Sequence, residues 1–243
     1  MLALAAEDGV TDIVATPHCN YRFEFNPERC SEELQQVRCA CPHAPRLFLG
    51  CELYFIAENI KRVLARPERY TLNAHDCLLV ELPNGLAANA IETGLKAFHR
   101  AGLRTVIAHP ERNLYLQRNP SIAARIVEFG CYFQITAQSL SGAFGSAAEE
   151  SAARMLRERL VHFIASDCHD ARQRKPLSRS VYTAIAGQFG ESTAELLFVL
   201  NPRSAIYSQP IQSMRPARRS STIYRILNSA RLFSRSKRWS ATV

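Results

Sequence analysis

Apolar residues gather in six short runs, each closing on a polar or turn residue. They lie at 12–16 (Asp-Ile-Val-Ala-Thr), 46–50 (Arg-Leu-Phe-Leu-Gly), 77–81 (Cys-Leu-Leu-Val-Glu), 105–109 (Thr-Val-Ile-Ala-His), 132–136 (Tyr-Phe-Gln-Ile-Thr) and 161–165 (Val-His-Phe-Ile-Ala). Several lack strict alternation, as parallel strands do when helices cover both faces of their sheet. Between the runs, apolar positions recur at helical spacing. Asn26-Pro27-Glu28 opens a helix that continues through Leu34 and Val37. Further helices are predicted over 55–64, 87–101, 122–129, 146–159, 176–189 and 193–200. Ile91, Leu95 and Phe98 share one face of the helix over 87–101, and Gly102 stops it; Asn119-Pro120 opens the next and Gly130 closes it. Proline at a helix start and glycine after its end are the expected punctuation. After Asn201-Pro202 a short segment, 204–208, is expected to pack on the body. Regular alternation of strand and helix predicts an α/β fold with parallel strands, most simply a barrel.

Composition changes this picture in two places. With 243 residues, 47% hydrophobic, 21% charged and a mean hydropathy of −0.14, the chain is ordinary globular material. The net charge of +8 is unevenly placed: residues 196–243 contain nine basic and no acidic residues, which leaves −1 on the other 195. The body is therefore near neutral, without the basic, aromatic-interleaved stripe that nucleic-acid binding needs. A domain boundary is expected near 212, with a barrel over 1–212 and a Ser/Arg-rich tail over 213–243. Ile223, Ile226, Leu227, Ala230 and Phe233 recur at helical spacing in that tail. Two readings fit it: a solvated disordered arm, or a short amphipathic helix touching an anionic membrane or a partner. No apolar run approaches the ~18 residues that span a bilayer, and Glu7 and Asp8 interrupt the apolar start, so a cytoplasmic protein is expected. The eight cysteines are then expected as free thiols. Cys39-Ala-Cys41-Pro-His43 lacks the second ligand pair of a structural zinc site.

The chemistry collects just after the strands. Strand one leads into His18, strand two into Glu52, strand three ends on Glu81, strand four on His109, and strand six leads into Asp167 and His169. In parallel α/β folds these carboxyl ends form the site. Three imidazoles and three carboxylates at one mouth suit Mn²⁺, Fe²⁺ or Zn²⁺, and are enough for more than one ion. His43, His75, His99 and His162 are not at strand ends and read as surface or core residues. Arg112, Arg172 and Arg174 lie nearby; a guanidinium beside a metal cluster offers paired donors to a phosphate or carboxylate. Cys168-x₅-Arg174 formally fits the thiol-phosphatase pattern, but eight cysteines and 26 arginines produce such a spacing by chance. The segment also lacks the glycine-rich phosphate loop of that chemistry.

At these residues the chain resembles the metal-dependent tyrosine phosphatases of bacterial capsule and exopolysaccharide operons, within the PHP (polymerase and histidinol phosphatase) superfamily. The matching stretches are 7–18, 50–52, 79–83, 108–113 (Ala-His-Pro-Glu-Arg-Asn), 135–142 and 162–169 (His-Phe-Ile-Ala-Ser-Asp-Cys-His), in order from about residue 3 to about 208. The resemblance implies a distorted (β/α)₇ barrel, a divalent cluster of Mn²⁺ type, and hydrolysis of phosphotyrosine on a kinase that controls polysaccharide export. It implies His18, Glu52, Glu81, His109, Asp167 and His169 as metal ligands. Arg112 and Arg174 would be the phosphate-holding catalytic pair. Members of the family open with a His-x-His strand and a helix ahead of the equivalent of Gly9; here Met1 falls inside that helix. The expectation is a barrel lacking its first strand and part of its first helix, with two ligands fewer, from a start placed too late or from a shortened chain of impaired activity. A small-molecule, histidinol-type phosphatase and a noncatalytic binding protein are the competing readings, and an oligomer is compatible with either.

Overall fold

In the computed structural model, which describes residues 1–214, each apolar run forms a strand. The strands are β1 (Asp12–Ala15), β2 (His18–Cys19), β3 (Arg46–Leu49), β4 (Glu52–Tyr54), β5 (Cys77–Glu81), β6 (Arg104–Ala108), β7 (Tyr132–Thr136) and β8 (Val161–Ala165). β1 and β2 are two halves of one run, parted at Thr16-Pro17, and β3 and β4 are parted at Gly50-Cys51. Pro17 has no N–H to give the ladder. The Gly50 N–H bonds the Ala15 carbonyl (2.8 Å) and the Glu52 N–H bonds the Pro17 carbonyl (3.0 Å), which carries the pairing across the break. Every pairing is parallel and follows chain order: β1 on β3, then β2-β4-β5-β6-β7-β8. The basic segment expected beyond 212 lies, from residue 215, outside the described residues.

The helices are α1 (Leu2–Glu7), α2 (Pro27–Ala40), α3 (Ala57–Ala65), α4 (Ala88–Arg100), α5 (Leu114–Arg118), α6 (Pro120–Glu128), α7 (Ser146–Arg157), α8 (Arg179–Phe189), α9 (Glu191–Glu195) and α10 (Asn201–Ile206). Asn26 caps α2 by accepting the Arg29 N–H at 2.9 Å, and Gly102 and Gly130 take positive φ (+76° and +99°) beyond α4 and α6. Two segments differ from expectation. α5 is an extra turn, capped by Asn113, which accepts from the Tyr115 and Leu116 N–H groups at 3.1 Å. The helix expected to stop at 200 widens into a π turn over Leu196–Leu200 and then runs on into α10. A π turn frees a carbonyl that the ring of Pro202 would otherwise meet.

Alternation along each strand feeds two cores. Leu78, Val80, Ile107, Phe133, Ile135 and Ile164 face the helix layer, where Phe55, Phe98, Met155 and Leu156 meet them. Cys77, Leu79, Val106, Ala108 and Phe163 face the other way, into a smaller cluster closed by Leu72 and Ala205. A fully buried Leu or Phe side chain contributes about 1.5–3 kcal/mol. That explains the unbroken apolar runs: both faces of β5, β6 and β8 are buried over most of their length. The end of α1 is tied to the start of α8 as well. The Asp8 carboxylate accepts the Ser178 and Arg179 N–H groups (2.5 and 2.9 Å) at the start of α8, and Arg179 Nε donates to the Asp8 carbonyl (3.0 Å).

Candidate metal centre

The period of two that builds the inner cluster also builds the site. On β5, Cys77 and Leu79 fill that cluster and Glu81, the next residue of the same parity, stands at the mouth. His18 follows Val14 in parity, and Glu52 follows Phe48 and Gly50; His18 and Glu52 are register partners. Ligand atoms of His18, Glu52 and Glu81 all lie within 4.8 Å of one another, the one such group of three among the described residues. His18 Nδ1 is 3.6 Å from Glu52 Oε2. His109 by parity would turn toward the helices with Ile107. Its left-handed backbone (φ +34°) breaks that alternation and brings Nε2 to 2.8 Å from Glu52 Oε1. Asp167 is left-handed too (φ +48°). Non-glycine residues rarely take this conformation, at a cost of ~1–3 kcal/mol, and such strain collects at functional sites.

The second side of the mouth is cationic. Arg112 Nη1 donates to Asp167 Oδ2 at 2.8 Å, and Arg174 Nη2 reaches the same oxygen. Arg174 Nε is buried without a hydrogen-bond partner among the described residues. His169 Nδ1 is 3.0 Å from the Asp167 carbonyl; donating there leaves Nε2 as the free ring nitrogen. The rings of His169 and His18 are 5.7 Å apart and join the two sides. These contacts link His18, Glu52, Glu81, His109, Asp167, His169, Arg112 and Arg174 at one mouth. The Arg172 backbone N–H bonds Asp170 Oδ1 at 2.6 Å, and among the described residues no hydrogen bond ties Arg172 to this group.

Burial alone would raise the Glu52 carboxyl; the His109 hydrogen bond and the charges of His109 and His18 outweigh it and hold the group below the ordinary carboxylate range. His109 shows the converse: burial opposes its charge, and Glu52 lifts it above the usual imidazole value. Glu81 is pushed up, first by burial and then by the neighbouring Glu52 charge, against the pull of His109. Its carboxylate has no hydrogen-bond donor among the described residues. A carboxylate drawn from water beside a second carboxylate and an imidazole is the condition a divalent cation relieves, and mixed N/O donors suit first-row ions. The residues present therefore fit a metal.

Two residues escaped sequence reasoning. Glu111 is fully buried; its Oε1 accepts the Ser139 hydroxyl (2.6 Å) and the Thr136 N–H (3.0 Å). Phe144 lies under both guanidinium groups, 4.3 Å from Arg112 and 5.5 Å from Arg174. No strand end announces Phe144, and only its Gly-Ala-Phe-Gly setting after a matched stretch was available as a signal. The loop after Cys168 is not a phosphate cradle: the N–H groups of Arg172, Gln173 and Arg174 turn onto the Asp170 carboxylate. Cys39 and Cys41 are exposed free thiols outside the ligand group.

A family model described as capsular polysaccharide synthesis, CpsB/CapC, matches residues 1–207. The tyrosine-protein phosphatase CpsB of Streptococcus pneumoniae is 34% identical over 220 residues, covering 87% of this chain and 90% of its own length. The tyrosine-protein phosphatase YwqE of Bacillus subtilis is 29% identical over 222 residues, 88% and 87% of the two chains. Among solved structures, one from the set of B. subtilis YwqE and S. pneumoniae CpsB, described as unique metal-dependent tyrosine phosphatases, superposes with a TM-score of 0.80 at 28% identity and covers 89% of this chain and 88% of its own.

Proposed function

The chain belongs to the CpsB/CapC family of capsular polysaccharide synthesis, and from that premise we propose that it is a metal-dependent protein-tyrosine phosphatase acting on a phosphotyrosine protein of the capsule or exopolysaccharide machinery. One observation carries the reading: two arginines converge on Asp167 beside a close group of imidazole and carboxylate donors, so anion-binding and cation-binding groups share one mouth.

His18, Glu52 and Glu81, with His109, Asp167 and His169 around them, would hold the ions, Mn²⁺ being the reading we favour over Fe²⁺ or Zn²⁺. When bound, divalent ions supply Lewis acidity at the phosphoryl oxygens and lower the pKa of water in the site. Arg112 and Arg174 present N–H donors to the nonbridging oxygens and stabilise the charge that develops there. Glu111 fixes the turn behind Arg112 through Thr136 and Ser139. The leaving phenolate, with a parent pKa of ~10, needs less help from a general acid than an alkoxide would. No thiol takes part. A tyrosine kinase as substrate and a cytoplasmic setting belong to the same proposal.

A finer reading of the fold accompanies it. β1 and β8 each have one edge unpaired among the described residues, and one further parallel strand joining those edges would complete a distorted (β/α)₇ barrel. The N-terminal sequence of the protein from its native source tests that part.

Hydrolysis of p-nitrophenyl phosphate and of a phosphotyrosine peptide is expected in Mn²⁺, is abolished by EDTA, returns on adding Mn²⁺ back, and survives iodoacetamide. Hydrolysis that resists EDTA, or a preference for histidinol phosphate over the peptide, overturns the reading.

A further inference from the structure

We propose that Phe144 is a positioning residue for the guanidinium pair, setting the affinity of the site for phosphate through its ring face; this rests on the phosphatase reading above. Arg112 and Arg174 come from different loops, and both lie against this one ring, at 4.3 and 5.5 Å. Two cations gathered on one side of a mouth repel each other, and each side chain carries considerable rotamer freedom. The groups that could hold them are Asp167 and Phe144. Asp167 bonds both arginines through a single oxygen, and it is also one of the carboxylates that would serve an ion. Every N–H it accepts is a donor withheld from substrate. The ring makes no such demand. A guanidinium over an aromatic face is held by the quadrupole while its N–H groups, which lie in its own plane, stay free for phosphate oxygens.

The backbone around Phe144 is built to keep the ring there. Gly142 and Gly145 flank it with φ of +78° and +86°, values glycine adopts without strain. The Gly142 N–H bonds the Ser139 carbonyl (3.2 Å), the Ala143 N–H bonds the Gln138 carbonyl (3.1 Å), and Gly145 begins α7. Ser139 in turn is held by Glu111, the residue before Arg112. One buried carboxylate thereby sets the turn that leads to the ring and the loop that carries an arginine in mutual register.

The test replaces Phe144 in the full-length, Mn²⁺-loaded chain with its mono-, di- and trifluorinated analogues. These keep its shape and withdraw the negative charge of its face. The companions are Phe144→Leu and Phe144→Trp. Inorganic phosphate is titrated by calorimetry, alongside kcat and KM for p-nitrophenyl phosphate and the metal content. Phosphate affinity is expected to fall stepwise with each fluorine. It should fall about tenfold in Phe144→Leu and recover to within about twofold in Phe144→Trp, with metal content unchanged. A fluorine series that is flat while the leucine variant is weak shows packing alone and overturns the proposal, as does a leucine variant that binds phosphate normally. Wild-type protein that neither binds phosphate nor hydrolyses the ester overturns the phosphatase reading itself, and this proposal with it.

Discussion

The two walls of the mouth are made of opposite chemistry. The wall from the first half of the chain, on β2, β4 and β5, carries His18, Glu52 and Glu81; its carboxylates crowd one another and Glu81 is lifted by burial. The opposite wall, built from loops after β6 and β8, carries Arg112 and Arg174, steadied by Asp167 and Phe144. Taken alone, the first is a poor place for any anion and the second a poor place for any cation. A phosphoryl ester with ions on one side and guanidinium donors on the other satisfies both at once, which neither a simple metal store nor a simple anion trap requires. His109 is a near neighbour of Arg112 in sequence yet sits on the first wall, through its left-handed backbone and the Glu52 hydrogen bond.

The contrast can be broken by removing one wall at a time. Glu52→Ala strikes the first: bound metal per chain, read by elemental analysis, should drop, and kcat/KM for p-nitrophenyl phosphate should fall by ~10³-fold or more, since the ions are asked for several kcal/mol of transition-state stabilisation. Arg174→Ala strikes the second. It should cost ~10²-fold in kcat/KM while metal content stays at the wild-type level. Equal metal loss in both variants would mean that the walls are not separate devices. A third imidazole environment sharpens the picture from outside the mouth. His162, on β8, is buried against Tyr132 and accepts the Phe133 N–H at 3.3 Å, and burial pushes its pKa down from 6.5 to about 4. The unfolded chain takes up this proton below pH ~6.5 and the folded chain does not. Stability tied to His162 is therefore intact above that pH and is lost as pH falls toward 4. Between pH 7 and 4.5 this amounts to about 2 kcal/mol, from ~1.4 kcal/mol per pKa unit. Urea unfolding of His162→Gln should show a correspondingly smaller acid loss than wild type; an identical loss would refute the assignment. The smallest effect is expected at Cys168→Ser, where kcat should stay within about twofold, because the surrounding N–H groups face Asp170 and no phosphate loop is formed.

The strands were legible in the residues because their runs are mostly apolar, and the candidate metal ligands were legible because they close those runs or follow them within four positions. Period two then carries Glu81 onto the face of Leu79 with no further information. What sequence could not carry was set by distant partners. Phe144 is 30 residues or more from both arginines in the chain, and a phenylalanine after a turn reads like any other half-buried aromatic. Glu111, between proline and arginine in a polar stretch, gives no sign that Ser139 and Thr136 will bury it. The π turn before Pro202 escaped because proline after a helical pattern ordinarily marks an end, and only the packed body makes continuation worthwhile.

The bridge between Asp8 and the start of α8 spans some 170 positions. During synthesis the first helix emerges from the ribosome long before its tether exists. The loop bearing Arg174 ends only a few residues ahead of that tether, so the cationic side of the mouth is seated by the same late event. A nascent chain shorter than about 180 residues can fold local strand–helix units, yet it holds no finished phosphate grip. The two arginines of the mouth can therefore face each other only once about three-quarters of the chain has been made.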